Sequence, residues 1–149
     1  MHRSRLFRPP CFWVALVLLA GCSDDGSPEQ QVRAVIESME VAAEARDVGD
    51  LMEHISVNFR DAQGQDRTEA SRYARGYFVA NQSVHLLTRI ESLEFPSPDE
   101  ARLKVQVGMA GRGGEQGAGG LTADLYDFDI ALVREDGEWK VSYADWWAH

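Results

Sequence analysis

A few residues near the end of the sequence are the best candidates for acid–base chemistry. Alternation along a strand places Asp145 on the same face as Tyr143, Val141 and Trp139. A carboxyl group in an apolar cavity beside a phenol stays protonated to higher pH and can then donate a hydrogen bond. The other interpretation, which we favour because the chain ends nearby, is that Asp145 is simply hydrated. No motif assigns catalytic residues, so they are unknown at this stage.

Two further tyrosines, Tyr77 and Tyr126, join Tyr143 and Asp145 as candidates for the lining of such a cavity. Tyr77 follows Tyr73 by one helical turn, so both side chains can face a sheet. Tyr126 shares one face of its strand with apolar residues. An aromatic core whose hydroxyl groups reach its rim is the simpler interpretation, and contact with a ligand is the alternative.

Asp127 and Asp129 lie two residues apart on one strand face, as paired catalytic carboxylates can. Three basic residues, Lys104, Arg102 and Arg89, stand on the polar faces of neighbouring strands. Opposite charges on adjacent strands form cross-strand pairs, so ion pairing on the outer face is favoured over catalysis.

The sequence predicts no metal site and no cofactor. His54 and His85 have no partners at the spacing that metal ligands need. The glycine-rich stretch 108–120 has no Lys-Ser/Thr ending and no GxGxxG register, and a strand follows it. It therefore predicts a flexible hairpin loop and not a phosphate-binding loop.

Capping signals mark two of three predicted helices. Ser27–Gln30 combines an N-cap serine, a proline at the first helical position and a capping-box glutamine, and apolar residues at helical spacing continue to about Asp47. A shorter helix is predicted at about Asp50–His54. A second capping box at Asp66–Glu69 opens a third helix that ends near Asn81.

Strands dominate the second half of the chain. A short strand is predicted at Val57–Arg60, and after position 81 the apolar period changes from helical to two. Alternation then marks four strands, and Asp136-Gly137 is a hairpin turn between the last two. The predicted fold class is α+β, with three N-terminal helices packed on an antiparallel sheet.

The N-terminal segment has the layout of an export signal. Basic residues precede an apolar run, Cys11–Ala20, of about half the length that a helix needs to cross a bilayer. Its end, Leu19-Ala20-Gly21-Cys22, resembles the lipobox of bacterial lipoproteins, whose cysteine carries diacylglycerol after the signal is cut before it. An ordinary secretory signal with a chance cysteine is the alternative.

The lipobox resemblance implies a signal peptide over 1–21, a lipidated Cys22 with a short polar tether over 22–27, and a folded domain over 28–149. Multiple acyl chains on Cys22 would anchor the protein stably, so the membrane is the expected partner. Ser23 follows where an inner-membrane retention signal has Asp, which implies the outer membrane of the cell envelope, facing the periplasm.

The net charge argues against partners that are bound by general electrostatic attraction. The formal charge is −9, and removal of Arg3, Arg5 and Arg8 with the signal lowers it to −12. Such an acidic chain is not expected to bind nucleic acid or an anionic membrane by general attraction.

The order of elements resembles the nuclear transport factor 2-like superfamily, which includes ketosteroid isomerase, SnoaL-like polyketide cyclases and scytalone dehydratase. The resemblance rests on a long first helix, the segments "DVGDLMEHIS" and "FRDAQGQDR", and a final strand "EDGEWKVSYADWW". It covers about Glu29–Trp147. It implies a cone in which a strongly bent sheet wraps the first helix and leaves a pocket at its open end. The carboxylate and tyrosine of the isomerases match no local motif here.

Three functions are compatible with this sequence, in decreasing order of preference. The first is a non-enzymatic, lipid-anchored module that binds a small apolar ligand or an envelope protein in the pocket. The second is an enzyme of the isomerase, cyclase or dehydratase kind that uses an acid and a tyrosine. The third is a structural envelope protein that pairs as a homodimer through the outer sheet face, as the resemblance implies.

Overall fold

The computed structural model describes residues 26–113 and 121–149. The predicted signal segment, Cys22 and positions 114–120 of the glycine-rich stretch lie outside the described residues. Within the described part of the chain, no helix is both long and apolar enough to span a membrane.

The first half of the described chain contains three helices: α1 (Pro28–Glu44), α2 (Val48–Glu53) and α3 (Arg67–Ala80). The predicted capping box of α1 is confirmed. The Ser27 hydroxyl accepts from the N–H of Gln30 at 3.2 Å, and the Gln30 side chain accepts from the N–H of Ser27 at 2.9 Å. A second capping box is present at the start of α3, as predicted.

Within residues 26–113 and 121–149, five strands form a single sheet: β1 (Ile55–Asp61), β2 (Asn81–Ser97), β3 (Glu100–Gly113), β4 (Leu121–Glu135) and β5 (Glu138–Ala148). Their spatial order is β1-β5-β4-β3-β2, with β1 parallel to β5 and the other neighbours antiparallel. Asp136 and Gly137, with φ of 50° and 85°, form the predicted hairpin turn between β4 and β5. The predicted α+β class is confirmed.

The hydrophobic core lies between the helices and one face of the sheet, which we call the inner face. Val32 and Ile36 of α1 pack with buried residues of four strands, including Leu132 and Val141. The described core thus needs no residue before Val32, and a fragment from Ser23 to His149 retains all of it. Such a fragment is expected to fold by itself.

The described part of the glycine-rich stretch, residues 108–113, is a strand and not the predicted loop. It belongs to β3, where Gly108 pairs with both Leu87 and Leu125. At Gly111 an added Cβ would lie 3.1 Å from the Ser83 carbonyl oxygen. Glycine is therefore used here for close strand packing and not for a flexible connection.

Candidate functional site

An apolar cavity of about 240 Å³ lies between the inner face of the sheet and helices α1 and α3. Side chains from all three described helices, with Leu51 from α2, and from four strands line it. They include Ala43, Tyr73, Ala74, Tyr77, Val84, Leu86, Met109, Tyr126, Phe128, Ala144 and Trp146. We call it the aromatic cavity.

Helical spacing on α3 and cross-strand pairing on the sheet bring the aromatic side chains of the lining together. On α3, Tyr73 and Tyr77 are four residues apart and so lie on one helix face. On the sheet, Phe128 and Trp146 are directly paired across β4 and β5. Their rings stack with centroids 6.1 Å apart, and the Tyr73 ring lies 6.5 Å from Trp146. The rings therefore form a continuous wall.

Hydroxyl groups are the main polar atoms of this wall. The hydroxyls of Tyr73, Tyr77 and Tyr126 make no hydrogen bond within the part of the chain that the structure describes. Burial raises the pKa of the Tyr77 phenol, and Tyr126 and Asp124 raise it further. Tyr77 is therefore protonated at neutral pH and can donate a hydrogen bond to a ligand.

The cavity has no strong general acid or base among its described lining residues. The lining residues that the structure describes include no carboxylate, imidazole or lysine. A phenol whose pKa is raised is a poor base at neutral pH. The described wall thus offers apolar surface and phenol hydroxyls.

Two of the four predicted lining residues are in this cavity. Tyr77 and Tyr126 line it, but the placement of Tyr143 and Asp145 beside them was wrong. Tyr143 lines a groove on the opposite, outer face of the sheet. Asp145 on β5 lies directly opposite Asp129 on β4, and Asp129 lines that same outer groove. Directly opposite residues point to the same face of a sheet, so the Asp145 side chain points outward as well.

A β-bulge explains the error. On β4, Ala131 and Leu132 are consecutive, but their partners on β5 are Tyr143 and Val141. Ser142 is therefore an extra residue that reverses the alternation for the rest of the strand. The side chains of Trp139 and Val141 point to the inner face, as predicted. Beyond the bulge, those of Ala144 and Trp146 point to the inner face instead of Tyr143 and Asp145.

Ion pairing on the outer face is confirmed for one of the two aspartates. Lys104 Nζ lies 3.9 Å from Asp129 Oδ1, and both side chains are largely exposed. Asp127 pairs differently, because its Oδ2 lies 2.6 Å from Nε2 of His149 and its Oδ1 accepts from Gln106. Exposed pairs of this kind contribute little to stability.

The described histidines do not form a metal site. No group of three or more His, Cys, Asp or Glu side chains in the described ranges could hold a metal ion. Burial lowers the pKa of His54, and the nearby Lys140 lowers it further. His54 is therefore mostly neutral at neutral pH.

Comparisons with known proteins support the fold. No family model matches the sequence, and no curated protein matches it either. Among solved structures, a presumed dehydratase of the NTF2-like family from Streptomyces avermitilis is 14% identical. The two structures superpose with a TM-score of 0.68, and the match covers 79% of this chain and 94% of the Streptomyces chain.

Two other structures with the same architecture carry different activities in their names. A ketosteroid isomerase-like protein from Erwinia carotovora atroseptica has a TM-score of 0.65 at 12% identity, over 80% of this chain and 94% of that one. A type 2 hexachlorocyclohexane dehydrochlorinase has a TM-score of 0.70 at 16% identity, over 81% and 84%. The predicted nuclear transport factor 2-like fold is confirmed, and at these identities the likeness concerns the fold alone.

Proposed function

We propose that this protein is a lipid-anchored envelope module that binds a small apolar molecule in the aromatic cavity without transforming it. The observation that carries the proposal is the composition of the wall. It combines stacked aromatic rings and free phenol hydroxyls, and its described part has no carboxylate, imidazole or lysine. Sites of this kind hold ligands by apolar burial and use a few polar groups for orientation.

The shape of the wall indicates a ligand class. The rings of Phe128 and Trp146 stack on each other, and the phenol side chains of Tyr77 and Tyr126 line the same cavity. A flat ring system with one acceptor atom would bury its ring against this aromatic lining and accept from Tyr77. Burial of about 150 Å² of apolar ligand surface stabilises a complex by roughly 4 kcal/mol before the cost of association.

Support for the anchor comes from the sequence. The pattern Leu19-Ala20-Gly21-Cys22 follows a short apolar run with a basic start, and Ser23 follows the cysteine. On this proposal the mature chain begins at Cys22 and hangs from the outer membrane into the periplasm.

A titration tests the binding proposal. We expect the fragment Ser23–His149 to bind the neutral aromatic probe N-phenyl-1-naphthylamine, with saturable energy transfer from tryptophan to the probe. Trp146 would be the principal donor, because it lies in the cavity wall. A signal that rises linearly with probe and never saturates would contradict a defined site.

The enzyme alternative has less support than the binding module. It needs an acid facing a tyrosine across the cavity, and Asp145, the acid first considered, lies on the outer face. The tyrosines of the wall are its main remaining basis.

The structural alternative rests on the outer face of the sheet. Three apolar side chains are exposed there, namely Leu87, Leu125 and Trp147, at 77%, 40% and 46% exposure. A second copy of the chain would cover them.

If this face pairs two copies, a reversed charge beside it should separate them. We expect Asp129→Lys to change the mass in solution from dimer to monomer by light scattering, because it brings a lysine beside Lys104. Asp136→Lys, in the hairpin turn, is the matched control and should keep the dimer. An unchanged mass for Asp129→Lys would remove this alternative.

A further inference from the structure

The outward side of α3 is unusually basic for so acidic a chain. Three arginines and two hydroxyl residues line a shallow cleft of about 350 Å³: Arg67, Thr68, Ser71, Arg72 and Arg75. Every one of these side chains can donate hydrogen bonds, and none is a carboxylate. We call this surface the arginine face.

Only the first of these arginines has a structural task in the described part of the chain. Arg67 donates to the carbonyl oxygens of Met52 and Ile55 at 2.7 and 3.1 Å, which ties α3 to the end of α2. Arg72 and Arg75 are exposed and have no hydrogen bond or ion pair with the described residues.

No acid of the same helix neutralises the pair. Glu69 precedes Arg72 by three residues, but its carboxylate accepts from the N–H of Asp66 in the capping box. Arg72 and Arg75 are themselves three residues apart, and like charges at this spacing repel. A bound anion would relieve that repulsion.

The geometry suits a phosphate group. Guanidinium groups form paired hydrogen bonds with phosphate oxygens, and hydroxyl groups such as those of Thr68 and Ser71 can donate to the remaining ones. Arg67 is already held in place by its two carbonyl partners, so part of the ordering cost is met before an anion binds.

The arginine face begins at the end of the domain where the chain arrives from Cys22. Arg67 donates hydrogen bonds to the carbonyl oxygens of Met52 and Ile55, and His54 lies between these two residues. His54 in turn lines a surface groove together with Gly26. The four residue steps from Cys22 to Gly26 span at most about 14 Å. A lipid anchor at Cys22 would therefore keep this end of the domain close to the headgroups.

The aromatic cavity lies on the other side of the same helix. Tyr73 and Ala74 of the cavity wall come between Arg72 and Arg75 in the sequence of α3.

We propose that the arginine face binds the phosphate groups of anionic lipid headgroups and so orients the anchored domain. This inference rests on the proposed anchorage at Cys22. It concerns a local contact held by the anchor, so it does not require a general attraction between the acidic chain and an anionic membrane.

Amide NMR of the fragment Ser23–His149 tests this site with short-chain lipids. We expect dihexanoyl phosphatidylglycerol to shift the amides of residues 68–75 in a saturable way, and dihexanoyl phosphatidylcholine to shift them far less. The variant Arg72→Gln/Arg75→Gln should bind the anionic lipid about 25-fold more weakly, at about fivefold for each arginine. Arg33→Gln/Arg89→Gln changes the charge equally elsewhere and should bind like wild type.

Three results would overturn the proposal. They are the absence of shifts on α3, equal binding of inorganic phosphate and of the anionic lipid, and equal weakening by the two double variants. Binding of the naphthylamine probe in the aromatic cavity should be unaffected by either double variant. A failure of the arginine face is thereby separated from a failure of the binding proposal.

Discussion

The variant Ala74→Phe is expected to lose binding of N-phenyl-1-naphthylamine, with a dissociation constant raised at least about tenfold. Ala74 lies on α3 between the two tyrosines of the wall and lines the aromatic cavity. A phenyl ring at this position would occupy space that the probe needs, and the lost burial is worth several times the roughly 1.4 kcal/mol of a tenfold change. The measurement is the tryptophan-to-probe energy transfer titration.

Val79→Phe is the matched control for this variant. Val79 is on the same helix but is 83% exposed, so an added ring there should leave both binding and folding unchanged. The thermal midpoint of Ala74→Phe should stay near that of wild type, because the new ring fills an existing cavity. A folded Ala74→Phe variant that binds the probe with wild-type affinity would place the binding site elsewhere.

Replacement of Cys22 by alanine is expected to abolish fatty acid attachment completely. In lipoproteins the sulfur of the cysteine that matches Cys22 forms the thioether with diacylglycerol. An alanine side chain has no sulfur and cannot form this bond. Cells fed an alkyne-tagged palmitate should label the wild-type protein and leave Cys22→Ala unlabelled. Cell fractionation alone is a weaker measurement, because an uncut apolar signal would also hold the variant at the membrane.

The chain provides its own control for that experiment. Cys11 is the only other cysteine in the sequence, and it lies within the apolar run of the signal. Cys11→Ala should be labelled like wild type, and the mature protein should have the same mass. Label that persists in Cys22→Ala, or is lost in Cys11→Ala, would contradict the lipobox interpretation.

The fold could be predicted well because its elements have strong local signals. The capping boxes at Ser27 and Asp66 each satisfy free N–H groups at a helix start, and both are formed as predicted. The Asp136-Gly137 turn has the positive φ values that its residue types favour. Signals of this kind depend on neighbours in sequence and need no knowledge of distant contacts.

The site was less predictable because it depends on pairing between strands. Ser142 is an ordinary strand residue, and its role as the extra residue of a bulge follows from its register with β4. Without that register, alternation placed Tyr143 and Asp145 inward and gave no sign of Trp146. Edge and bulge positions are not encoded by residue type alone.

Two features of the structure were not predicted, for different reasons. Ala74 and Met109 are cavity residues that look like ordinary core residues in the sequence, and only packing reveals the space between them. The arginine face did have a signal. Arg72 and Arg75 lie on the polar side of a predicted helix in an acidic chain, without an acid four residues away.

The most direct test of the account is native mass spectrometry of Ser23–His149 produced in a bacterial periplasm. The central claim, a cavity that binds a small apolar molecule, predicts a reproducible extra mass of a small molecule on the wild-type protein. The same mass should be absent from Ala74→Phe and present on Val79→Phe. A wild-type protein that is always empty, or an extra mass that Ala74→Phe retains, would contradict the claim.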